Sequence, residues 1–180
     1  MNKEKKRRSG KMLFLDAVIF VILLAVDQVT KQLAINHLKD NPAFVLIEGV
    51  LELDYLENRG SAFGMLQNQK VFLLFVGFVF MAMILFFLFK LPNEKKFCLT
   101  HILLSAVVAG GIGNMIDRIR YDFVVDFISF VLIHFPVFNG ADCFIVVGTI
   151  GLFILFMFVY KEEDLEFLSL KKKSNEPKAD

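Results

Sequence analysis

Residues 110–142 read GGIGNMIDRIRYDFVVDFISFVLIHFPVFNGAD, with four carboxylates set between hydrophobic runs. Asp117, Asp122, Asp126 and Asp142 all fall where a membrane-embedded helix would emerge or re-enter. An ionisable group at that depth is costly to hold and marks a functional site by default. Asp122 is the exception. It lies beside Arg120 and Tyr121 in a polar turn and reads as a solvated loop residue.

The chain around this stretch is that of a membrane protein. Of its 180 residues 56% are hydrophobic, with 22 Phe and no Trp, and the mean hydropathy is +0.60. Soluble domains reach only about 45–50% apolar residues. A net charge of +1 leaves no global field for nucleic acid. Cys98 and Cys143 begin different hydrophobic segments on opposite sides of the expected membrane, so no bridge is expected between them. His37, His101 and His134 are scattered and read as interfacial or packing residues, and no Cys/His cluster has metal-ligand spacing.

The pattern predicts an all-α membrane protein of four transmembrane helices, over residues 12–33, 71–89, 97–119 and 143–160, each long enough for a hydrocarbon core of about 30 Å. Residues 12–160 form one domain between a basic tail at 1–11 and a charged tail at 161–180. The opening resembles a secretory signal, but the apolar run leads into DQVTKQLAINH rather than a cleavage site, so it reads as an uncleaved first span. Asp16 and Asp27 interrupt that span, facing the same way about 16 Å apart. Between the first two spans, FVLIEGVLELDYLENRG has the alternation of a strand on a surface, giving a small β-rich segment. Residues 120–140 form a second exposed region whose VLIHFPVF is expected to lie in the membrane interface. Small residues in the third span, from Ser105 to Gly113, would let neighbouring helices come close. Residues 1–11, 90–96 and 161–180 carry 6, 3 and 5 basic residues, 14 of the 20 in the chain. That bias puts both termini in the cytoplasm and the two longer loops, with Asn58, Asp126 and Asp142, at the outer face.

Acids gathered at one end of such a bundle suit either a cation or proton path or a pair of carboxylates doing acid–base work. A pair needs two acids free of strong cationic partners, so that one acts as base on water and the other as acid on a carbonyl. Asp126 and Asp142 have no Lys or Arg within five residues, whereas Asp27 has Lys31 and Asp117 has Arg118 close by. Asp117–Arg118 reads as a structural clamp, and Asp27–Lys31 either as a solvated i,i+4 pair or as part of a site. Asn139 or Asp142 could instead cap the fourth helix, the main competitor for a catalytic role.

These motifs resemble a known family. Asp27-Gln28-Val29-Thr30-Lys31, Asn58-Arg59-Gly60-Ser61-Ala62-Phe63-Gly64, Gly113-Asn114-Met115-Ile116-Asp117-Arg118, Val125-Asp126-Phe127 and Phe138-Asn139-Gly140-Ala141-Asp142 are similar, in order, to the signature blocks of lipoprotein signal peptidase, or signal peptidase II. The resemblance covers roughly residues 12–160. It implies an aspartyl endopeptidase of the bacterial inner membrane, with Asp126 and Asp142 as the catalytic dyad and no metal or other cofactor. Asp27, Lys31, Asn58, Gly60, Asn114, Arg118, Asn139 and Ala141 would support the site or hold substrate, and Asp117 would pair with Arg118. The implied substrate is a diacylglyceryl-modified prolipoprotein, cut just before its lipidated cysteine by a monomer embedded in membrane lipid.

Two features depart from the family pattern. Ala109-Gly110-Gly111-Ile112 stands where Gly-Gly-Ala is frequent, and Gly140 replaces a larger apolar residue. Asp16 matches no motif and is expected to be a buried acid. The rival readings are an ion-coupled transporter using Asp16 and Asp27, a cysteine hydrolase using Cys143 and His134, and a non-enzymatic scaffold.

Overall fold

The computed structural model describes residues 10–60 and 65–168. Its elements are α1 (Gly10–His37), β1 (Phe44–Ile47), β2 (Leu51–Asn58), α2 (Lys70–Lys90), α3 (Cys98–Tyr121), β3 (Val124–Phe130) and α4 (Gly140–Ile154), which continues as a π turn over Leu155–Val159. Four helices are long and apolar enough to cross a membrane: Met12–His37, Lys70–Lys90, Lys95–Tyr121 and Gly140–Val159. Each overlaps an expected span. α1 runs a full turn past residue 33, and the last span begins at Gly140 because Asn139 caps it. The tails lie largely outside the described residues.

α3 is the central helix. Half of its most apolar window is buried inside the protein, against 11% for each of the others. Its glycines explain how three helices can surround it. A Cβ on Gly110 would strike the Ala141 carbonyl of α4, one on Gly111 the Met81 sulfur of α2, and one on Gly113 the Asp27 carboxylate of α1. Successive positions on a helix point about 100° apart, so these neighbours clear three faces. α3 and α4 run antiparallel, with Gly110 against Ala141 and Ile145, and Gly148 against Val107 and Leu103. α2 is the peripheral helix, presenting Phe72, Phe75, Phe78, Phe80, Phe86 and Phe89 outward.

The three strands form one antiparallel sheet in the order β1-β2-β3. The expectation of an exposed interfacial region across 120–140 is corrected here, because Val124–Phe130 is a strand paired with β2 whose first three residues are buried. Only the following turn, with Leu132, Ile133 and Phe135 exposed, keeps the expected apolar surface. The ladder between β2 and β3 shifts register between Leu53 and Leu56, where Asp54 and Tyr55 stand opposite Phe127 alone. Direct partners share a face of a sheet, and one extra residue reverses the parity beyond it. The bulge therefore puts Leu56 and Asn58 on the face of Asp126 and Val124. Val125 and Phe127 alternate to the other face and pack with Ala34 and Leu38 at the end of α1.

The opposite end of the bundle is closed by Leu88, Leu91, Phe97, Leu104, Leu155 and Tyr160. Polar groups are buried there too. The Tyr160 hydroxyl meets Thr100 and donates to the Lys96 carbonyl at 3.3 Å. Asp16 is buried as expected, with His101 Nδ1 at 3.0 Å and the Ser105 hydroxyl at 3.5 Å. His101 is thus neither interfacial nor a plain packing residue but the partner of Asp16. His37 ends α1, and His134 closes the short turn after β3 in a left-handed conformation.

Candidate active site

The site forms where the far end of α1, the last turns of α3, the sheet and the first turn of α4 meet. Asp27 and Lys31 lie one turn apart on α1 and are both buried, so the reading of a solvated pair is corrected. Lys31 Nζ lies 3.1 Å from Asp27 Oδ2, 2.9 Å from Asp117 Oδ2 and 2.8 Å from Asn114 Oδ1. A buried ammonium requires such compensation, and three acceptors match its three N–H donors. Asp27 also accepts from the backbone N–H of Ala141 at 3.1 Å, which ties α1 to the start of α4.

The expected Asp117–Arg118 clamp does not form. Adjacent helical residues diverge by about 100°. Asp117 turns to Lys31 and accepts from the Val125 N–H at 3.2 Å, fixing the entry into β3. Arg118 turns the other way, donating to the Gly60 carbonyl at 2.9 Å and the Asn114 carbonyl at 3.3 Å. Its charge still bears on Asp126, Asp142 and Asp117. Gly60 is itself buried, and a Cβ there would strike the Met65 carbonyl. Ser61, Ala62, Phe63 and Gly64 of the same motif lie outside the described residues. Gln28 was not singled out by sequence reasoning. Its amide donates to Asp27 at 3.1 Å and to Asp117 at 3.2 Å, and its place inside the DQVTK block was the available signal.

Asp126 and Asp142 come together through asparagines. Asp126 is 1% exposed. It accepts from Asn139 Nδ2 at 2.6 Å on one oxygen and from Asn58 Nδ2 at 2.8 Å on the other. Asn58 Oδ1 takes the Gly60 N–H at 3.0 Å, which fixes which end of that amide faces Asp126. Asn139 is the N-cap of α4, accepting from the Asp142 N–H at 3.1 Å, while Asp142 Oδ2 accepts from the Asn139 N–H at 3.2 Å. The capping reading therefore holds for both residues, as a reciprocal capping box. It coexists with a second role, because Asn139 spends its amide N–H on Asp126 and Asp142 Oδ1 accepts from Asn114 Nδ2 at 2.8 Å. One cap residue thus touches both carboxylates.

Burial pushes the Asp126 carboxyl up from 3.8 to about 7. The Asn58 and Asn139 amides oppose this by favouring the ionised form, the Asp142 charge adds to it, and Lys31 opposes it. The two acids thus have unlike settings: Asp126 is enclosed in the sheet face, while Asp142 is half-buried at a helix N-terminus. Asp122 stands apart, exposed in a left-handed conformation at the end of α3 and paired with Lys70, as a solvated loop acid should be. Cys98 and Cys143 are free thiols.

Known proteins resemble this chain in sequence and in fold. Residues 19–159 match the family model described as Signal peptidase (SPase) II. A lipoprotein signal peptidase of Clostridium tetani is 39% identical over 155 residues, covering 84% of this chain and 96% of that protein. One from Caldanaerobacter subterraneus subsp. tengcongensis is 42% identical over 142 residues, covering 78% and 94%. Among solved structures, a bacterial membrane enzyme determined by the in meso method at 2.3 Å superposes with a TM-score of 0.70 at 26% identity, covering 89% of this chain and 94% of that one. The chain belongs to the signal peptidase II family, and is by that membership a peptidase.

Proposed function

We propose that this protein removes signal peptides from diacylglyceryl-modified prolipoproteins, cutting just before the lipidated cysteine, and that Asp126 and Asp142 activate the attacking water. The observation that carries this reading is the joining of two acids, from β3 and from the first turn of α4, through the single side chain and backbone of Asn139. Asp126 retains its proton near neutral pH and serves as the acid toward the scissile carbonyl, its raised value being suited to that task. Asp142 takes a proton from water. The water adds to the carbonyl carbon, the tetrahedral intermediate collapses, and the C–N bond breaks as the amine leaving group is protonated. Asp27, Lys31, Gly60, Asn114, Asp117, Arg118 and Ala141 hold this arrangement or its substrate. Their contacts across α1, α3 and α4 support that role.

We place residues 12–160 as one multi-pass domain in the bacterial inner membrane, acting as a monomer among lipid. Both termini are cytoplasmic, and the sheet and acid pair lie at the outer face, because basic residues gather in the tails and the 90–96 loop. The exposed Leu132, Ile133 and Phe135 then meet the interface. The test is cleavage of a diacylglyceryl-modified prolipoprotein by purified protein in detergent, beside its unlipidated precursor and the Asp126→Asn and Asp142→Asn variants. Cleavage of the lipidated form alone, lost in both variants, is the expected result. Failure of folded wild-type protein to cut refutes the function, and cleavage by either variant refutes the dyad.

A further inference from the structure

A hydrogen-bonded path leads from Lys31 on α1 to Asp142 on α4. Lys31 Nζ donates to Asn114 Oδ1 at 2.8 Å, and Asn139 Nδ2 donates to the same oxygen at 3.3 Å. An amide whose oxygen receives two donors has its NH2 end fixed on the opposite side. That end points at Asp142 Oδ1, 2.8 Å away. Turning the amide over would set its N–H groups against an ammonium and its carbonyl against a carboxylate.

We propose that Lys31 is a positioning residue for the acid pair: by holding the Asn114 oxygen it makes Asn114 a hydrogen-bond donor to Asp142, and so fixes the orientation in which that carboxylate meets water. The inference deepens the peptidase reading and rests on it. The charged and titratable groups that bear on Asp142 are Asp126 from β3, Arg118 from α3 and Cys143 on its own helix, while Lys31 and Asp27 of α1 and Asp117 of α3 pair among themselves. Lys31 is already compensated by Asp27 and Asp117, so its influence on Asp142 runs through the geometry of one amide. Misplacing a reacting group by about 1 Å costs on the order of 100-fold in rate.

The experiment measures kcat and KM separately on a lipidated prolipoprotein. Asn114→Leu is the decisive variant, because it keeps the approximate shape and removes the donor to Asp142 without adding a charge, while Lys31 retains Asp27 and Asp117. It is expected to fold and to lose on the order of 100-fold in kcat with KM within about twofold. Near-wild-type turnover overturns the proposal. Lys31→Met is made together with Asp117→Asn, so that the buried charge stays balanced. It is expected to lose kcat similarly, but less than about threefold when added to Asn114→Ala, since both changes remove the same donor. Full loss again on top of Asn114→Ala, or a rise in KM with kcat intact, overturns the relay while leaving the peptidase standing. A wild-type protein that cuts nothing removes the peptidase reading itself.

Discussion

Replacing Asp126 by Asn keeps the shape of a buried side chain and removes its charge, so the effect on stability depends on pH in a defined way. Burial raises the Asp126 carboxyl from 3.8 to about 7. Holding the charge there costs the folded protein roughly 4 kcal/mol relative to the unfolded chain. Below about pH 4 both states are protonated and the cost is absent. Between about pH 4 and 7 the unfolded chain releases its proton while the folded protein keeps it, so wild-type stability falls as pH rises; above about pH 7 the full cost applies. The amide escapes this, but its NH2 must face the N–H of Asn58 or Asn139, each oriented by a backbone donor. That lost hydrogen bond costs about 1–3 kcal/mol at every pH. Asp126→Asn should therefore be the less stable protein at about pH 4 and the more stable one, by about 1–3 kcal/mol, at about pH 8. At about 2–4 °C per kcal/mol the melting curves should cross. With no Trp in the chain, far-ultraviolet circular dichroism in detergent is the suitable readout. Melting temperatures that differ by a constant amount across this range would refute the burial argument.

The remaining predictions concern packing and the two ends of the bundle. Gly113→Ala should lower stability by about 1–3 kcal/mol and abolish cleavage, because its Cβ meets the Asp27 carboxylate. Gly140→Ala, whose Cβ finds nothing nearer than Thr30 Oγ1 at 3.9 Å, should melt within about 0.5 kcal/mol of wild type and cut normally. Asn139→Ala should cost about 1 kcal/mol through the lost cap, seen in melting. It should also lower turnover on the order of 100-fold, because Asp126 loses its 2.6 Å donor. Asp16→Asn should lower the melting temperature by breaking the contact with His101 while leaving cleavage unchanged; loss of cleavage would favour a path through the bundle instead.

The four helices were legible because each span is a long apolar run, a signal carried entirely within its own segment. The third strand was not. Its partner β2 lies two helices earlier in the chain, and VVDFISF taken alone shows only a mixed run beside an apolar turn. Asp16 and His101 are 85 residues apart, so nothing local pointed from one to the other. The expected Asp117–Arg118 pairing is absent for the opposite reason: the two are neighbours in sequence, and helix geometry turns such neighbours apart in space. Asn114, Asn139 and Asp142 were legible through their motifs. What the motifs left hidden was the direction of each amide, which depends on donors brought in from α1 and from the sheet.

The bulge in β2 carries a consequence for how this sequence can change over time. It separates a hairpin whose length is free from a segment whose spacing is locked. Residues added or lost in the turn between β1 and β2 leave Leu56 and Asn58 where they are, because the ladder with β3 restarts beyond Tyr55. Losing Asp54 or Tyr55 would only leave one residue opposite Phe127, whereas one residue lost between Leu56 and Asn58 would turn Asn58 to the far side of the sheet and take from Asp126 one of its two amides. Relatives of this chain can therefore diverge in the hairpin while keeping the count from Leu56 to Gly60 unchanged, and an alignment gap placed inside that count would be an error of alignment rather than a difference between proteins.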